Sequence, residues 1–111
     1  MRILSLAACA LLIVTSLSTA AVIRVPGDVP RIELALLAAA PHDTVLVAPG
    51  VYPVNLEWPA TAGIKLVSEA GPDATILDGG GTVQVIGIYT GVDTTTVVAG
   101  FTIQRGHAEG Q

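Results

Sequence analysis

The sequence predicts an all-β solenoid in which short parallel coils stack behind an N-terminal α-helical cap. Three observations predict it. Apolar residues make up 51% of the 111 residues, yet the aromatics are only Tyr52, Trp58, Tyr89 and Phe101. The core is therefore aliphatic, a composition that suits stacked strands. One helical pattern occurs near the start, and beyond it short aliphatic runs alternate with Gly, Pro and Asp turns. Finally, the chain resembles itself when shifted by 20 residues, and a repeat of about that length is typical of solenoids.

Residues 1–20 come first and read as a secretory signal peptide. Arg2 follows Met1, no charge occurs from Ile3 to Ile23, and Ser18-Thr19-Ala20-Ala21 offers small residues for cleavage. The competing reading is an uncleaved anchor, since ~20 uncharged residues can span a bilayer. Thr15, Ser16, Ser18 and Thr19 weaken it. Leu6-Ala7-Ala8-Cys9 is similar to a bacterial lipoprotein box, but the apolar run continues past Cys9. Cleavage after Ala20 leaves 91 residues with no cysteine, so no disulfide can form although export would permit one. The expected location is secreted or cell-surface, extracellular or periplasmic, with no membrane contact after cleavage.

Residues 21–43 form a strand and the cap. Val22–Val25 is a short strand and Pro26-Gly27-Asp28 a turn, with Asp28 placed to cap the next helix and Pro30 in its first turn. Ile32, Ala35, Leu36 and Ala39 recur at helical spacing. The helix is read within Asp28–Ala40 and ends before Pro41. Its length of about 10 residues gives roughly 15 Å. Such a helix would cover the open apolar end and unpaired strand groups of the first coil.

Residues 44–111 supply the coils. The candidate strands are Thr44–Ala48, Asn55–Trp58, Ile64–Ser68, Thr75–Leu77, Val83–Ile88, Thr96–Ala99 and Phe101–Ile103. The 20-residue shift lays Val45–Val47 on Lys65–Val67 and then on Val85–Gly87, and Leu56 on Ile76. It also lays Gly71, Asp73 and Thr75 on Gly91, Asp93 and Thr95. A coil cannot bury its inner face alone, whereas stacked coils bury a continuous column with strands ~4.8 Å apart. The rival is a two-layer antiparallel sandwich. It lacks Asn-Gly or Asp-Gly hairpin signals except at Asp78-Gly79.

Charge excludes one class of partner. Residues 21–111 hold four basic residues against nine acidic ones. No basic stripe exists to neutralise a phosphate backbone, so nucleic acid is not expected to bind.

Ile23–Asp28, Ile32–Ala39 and Asp43–Tyr52 resemble the N-terminal region of right-handed parallel β-helix proteins of the pectin-lyase-like family. Ser68–Gly79 and Gly100–Ile103 continue the pattern, which covers residues 22–106. The resemblance implies a right-handed coil and says little about activity. Gly50-Val51-Tyr52-Pro53-Val54 is similar to a G-x-Y-x-E segment of pectin methylesterases, with Val54 standing where that family has Glu. In both the esterases and the polysaccharide lyases of this fold, the catalytic residues lie on later coils.

Individual candidates are few. Asp73 and Asp93, related by the shift, are the pair a cation such as calcium would use, although a calcium site needs more than two ligands. Trp58 and Tyr89 are the candidates for stacking on sugar rings, against a packing role, while Tyr52 is read as packing. Asp78-Gly79-Gly80-Gly81-Thr82 lacks the P-loop lysine and a following helix, so it reads as a turn rather than a phosphate cradle. His42 and His107 show no metal-ligand spacing and no triad. No catalytic residue, metal or cofactor is expected. A cap and about three coils are too few for the long cleft of a β-helix enzyme. The sequence is thus expected to be the N-terminal fragment of a secreted β-helix protein, truncated at the C-terminus. Its expected role is binding or structural, at the cell surface or on extracellular polysaccharide. The alternative is a truncated pectinesterase or polysaccharide lyase whose active site lies beyond residue 111. Self-association through the open last coil is also expected.

Overall fold

The structure, a computed structural model, describes residues 20–88 and 92–107. Its strands are β1 (Val22–Val25), β2 (Thr44–Val47), β3 (Gly50–Pro53), β4 (Leu56–Glu57), β5 (Lys65–Ser68), β6 (Thr75–Asp78), β7 (Ile86–Gly87), β8 (Val97–Ala99) and β9 (Thr102–Gln104). Among the described residues there is one helix, α1 (Ile32–Ala38), between β1 and β2. Three sheets form, with orders β1-β2-β5-β8, β3-β6-β9 and β4-β7. Every strand pair among them is parallel. From β2 onward the chain visits the three sheets in rotation, so it is a parallel β-solenoid of about three turns. The antiparallel sandwich is excluded.

The register corrects the 20-residue repeat. Val45 faces Leu66, an offset of 21, and Leu66 faces Val98, an offset of 32. Val51 faces Ile76 and Leu56 faces Ile86, offsets of 25 and 30. The shift therefore sets Val45–Val47 one residue out of register, and a slip of one turns inward side chains outward. Val85–Gly87 is also not the third copy of β2, because β5 pairs β8 and Ile86–Gly87 pairs β4. Unequal corners cause this. Two residues join β3 to β4, but seven join β6 to β7. In that longer corner Gly80 and Gly81 have φ of 72° and 85°, values that glycine adopts without steric cost.

The core is the aliphatic column that the composition implies. Val25, Val45, Val47, Leu56, Ile64, Leu66 and Leu77 are all essentially inaccessible. In β1 and β2 they alternate with half-buried or exposed neighbours, the period-2 pattern of a one-sided face.

Helix α1 lies against β1, β2 and β4 and buries Ile32, Ala35 and Leu36. It thus covers the column at the β1 end, as expected of a cap. It is shorter than predicted, and Asp28 does not cap it. The N-cap is Arg31, in extended conformation with no side-chain cap bond. The Asp28 carboxylate instead accepts the Arg24 amide at 2.9 Å, while the Asp28 amide donates to the Arg24 carbonyl at 2.8 Å. Both bonds of Asp28 are spent closing the turn after β1, and Pro30 lies outside the helix.

Candidate functional site

The densest polar cluster among the described residues joins the ends of β6 and β9. The parallel register sets Asp78 opposite Gln104, with Arg105 next along the chain. Asp78 Oδ2 accepts from Gln104 Nε2 at 3.1 Å and from Arg105 Nη2 at 2.9 Å. Asp78 Oδ1 accepts from Arg105 Nε at 3.0 Å and from the Gly80 amide at 2.8 Å. The guanidinium engages both carboxylate oxygens, the strong fork geometry of an Arg–carboxylate pair. Arg105 φ is 53°, so the chain turns sharply there and brings the guanidinium back over Asp78. The Arg105 bond, then the Gly80 and Gln104 bonds, hold the Asp78 carboxyl down at about 2.

A shallow cleft of about 300 Å³ adjoins this cluster, bordered by Glu33, Asn55, Asp78 and Gly80. Its chemistry is limited. Asp78 is ionised at neutral pH, and its lone pairs are taken by groups of the same chain. A general acid or base needs a pKa near the working pH and an accessible proton site. Asp78 instead ties one coil to the next.

Asp43, the other buried carboxylate among the described residues, also bonds to backbone. It accepts from the Ala21 amide at 2.8 Å and from the Ala40 amide at 2.9 Å. These two bonds, Ala21 first, hold its carboxyl below the ordinary range against the effect of burial.

The sequence candidates fall as follows. Trp58 is only 5% exposed and packs in the core, so it presents no ring face to a sugar. Its neighbours in the pattern, Val54 and Leu56, are buried too, and the spacing of two places Trp58 on the inward face. That alternation, not the following Pro59, was the informative signal. Tyr89 lies outside the described residues. Tyr52 is half-buried against the core, and its hydroxyl donates to the Ala48 carbonyl at 2.7 Å.

Asp73 and Asp93 do not stack. Asp73 precedes β6 and Asp93 precedes β8, strands of different sheets, because the register is not 20. Both are exposed. Asp93 Oδ1 accepts from the Thr95 hydroxyl at 2.6 Å and the Thr95 amide at 2.9 Å, which lowers its pKa. His42 is exposed with φ of 70°, and its ring lies over Gly63 so closely that a Cβ there would have to displace it. Among the described residues, no group of three or more His, Cys, Asp or Glu side chains converges as a metal site would require.

Sequence reasoning passed over Asp43, Asp78 and Arg105 as bonding residues. The Asp-Gly-Gly-Gly run marks the turn after Asp78, but nothing local names a partner 27 residues away. No family model, no curated protein and no solved structure matches this chain.

Proposed function

We propose that this chain is a helix-capped scaffold segment of an exported, right-handed β-helix protein of the pectin-lyase-like kind. Its role is structural or adhesive, at a cell surface or on extracellular polysaccharide, and it performs no catalysis. The observation that supports this most is where the buried charge is spent. Asp43 and Asp78, the buried carboxylates among the described residues, hold backbone, Gln104 and Arg105. The sequence supports the export and family parts of the reading, through the leader and the Ile23–Tyr52 pattern.

The test is made on the protein exported from the full chain. It is incubated with pectin and other acidic polysaccharides. Methanol release, new reducing ends and unsaturated products are followed beside retention on the insoluble polymer. Retention without turnover is the expected outcome. Turnover abolished by substituting a single Asp would overturn the non-catalytic reading. Failure to leave the cytoplasm would overturn the export part.

A further inference from the structure

Among the described residues, no cation balances the charge of Asp43. The residue is only 7% exposed. Its two carboxylate bonds come from neutral backbone amides, those of Ala21 and Ala40. The ion pairs among the described residues are Arg24–Glu69, Arg31–Glu33 and Arg105–Asp78, and none involves Asp43. A buried carboxylate ordinarily sits beside a cation, because removing it from water is costly otherwise.

The donor to Asp43 Oδ1 occupies a telling position. It is the nitrogen of Ala21, at 2.8 Å. Ala21 directly follows Ser18-Thr19-Ala20, the small-residue stretch at which the leader is expected to be cut. Ala20, Ala21 and Val22 are exposed, so the Ala20–Ala21 bond is open to a peptidase. The Ala21 carbonyl is already fixed by the Thr44 amide at 2.9 Å, and β1 pairs with β2 from Val22 onward.

We infer that cleavage between Ala20 and Ala21 completes the Asp43 site: the new α-ammonium of Ala21 forms a buried ion pair with the Asp43 carboxylate. The inference rests on the export reading above. In the cleavage, water adds across the peptide bond under an export peptidase. The hydroxyl goes to the Ala20 carbonyl carbon and the hydrogen to the Ala21 nitrogen. The acid proton then passes to the amine, leaving a carboxylate on the departing leader and an ammonium on Ala21. The nitrogen need not move, since it already lies at hydrogen-bond distance. A bond charged only at its acceptor becomes one charged at both ends, an ammonium–carboxylate pair. Asp43 also holds the Ala40 amide just beyond α1, so the new pair ties β1, the cap and the first coil together. Removal of the leader thereby stabilises the end of the solenoid from which it leaves.

The full chain is expressed in a secreting host and the first residue of the exported product is read by mass spectrometry. Ala21 is expected. An unprocessed product overturns both the export reading and the ion pair, whereas a start at any other residue overturns the ion pair alone. The exported protein is then Nα-acetylated at neutral pH, which removes the charge and leaves Asp43 intact. Its melting midpoint should fall by roughly 4–8 °C, the scale on which a domain of this size reports one such interaction. In Asp43→Asn the same acetylation should shift the midpoint by less than about 1 °C. Equal shifts in the two proteins contradict the pair. Should the variant not fold, the acetylation rate of native protein decides. An ion-paired amine reacts at least ~10-fold more slowly folded than in urea, and equal rates overturn the inference.

Discussion

The two ends of the solenoid hold the same kind of residue in different states. At the β1 end, Val25, Val45 and Val47 are completely covered, with Ile32, Ala35 and Leu36 of α1 above them. At the β9 end, Val98 and Phe101 are only half-buried, and Ile103 is 52% exposed although it faces the buried Leu77. The side chains are equally apolar, so sequence hydrophobicity does not set the difference. Burial in a stack requires a neighbour on both sides. The helix provides one for the first turn. Among the described residues, β7, β8 and β9 are each the last strand of their sheet.

The contrast can be broken most severely in the middle. Leu66 lies between Val45 and Val98 and is fully buried. Leu66→Ala should cost about 2–5 kcal/mol, measured by denaturant unfolding. Next comes Gly79→Ala, where the new Cβ would lie 2.7 Å from the Arg105 carbonyl oxygen and 2.9 Å from that of Val83. Backbone atoms cannot swing aside as a side chain can, so about 1–3 kcal/mol should be lost.

A smaller effect depends on pH. The Asp78 carboxyl is held at about 2 in the folded chain, against an ordinary 3.8. Its contribution is therefore complete above about pH 4 and is lost as pH falls from there through 2. Asp78→Asn should flatten that part of the stability–pH curve, followed by thermal melts between pH 2 and 5. An unchanged slope would show that Arg105 does not hold Asp78 in solution. The smallest effect belongs to the β9 end. Ile103→Ala should change stability by no more than about 0.5 kcal/mol, as at an ordinary surface site. A loss as large as that at Leu66 would mean that Ile103 is covered.

What the sequence made legible follows from the range of each interaction. The spacing of Ile32, Ala35, Leu36 and Ala39 is local, and all four are buried as predicted. The alternation at Val45 and Val47 is equally local. Strand β3 is not among the candidate strands, because Gly50-Val51-Tyr52-Pro53 has only two strand-forming side chains, between a Gly and a Pro. It is a strand because β6 pairs with it, and Pro53 is tolerated because β3 is the edge strand of its sheet. The register was misread because a fixed shift cannot follow corners of unequal length. With it went the supposed stacking of Asp73 on Asp93, and the Asp78–Arg105 bond passed unseen.

The comparison of the two ends is tested most directly by amide hydrogen exchange on the folded chain. In the interior, the Lys65 amide donates to the Asp43 carbonyl at 3.0 Å and the Glu69 amide to the Val47 carbonyl at 2.8 Å. In β8, the last described strand of its sheet, the Val97 amide donates to the Ile64 carbonyl at 3.2 Å. The account predicts that Lys65 and Glu69 exchange only on global unfolding, and Val97 at least about tenfold faster by local opening of the last turn. Val97 exchanging as slowly as Lys65 and Glu69 would contradict it.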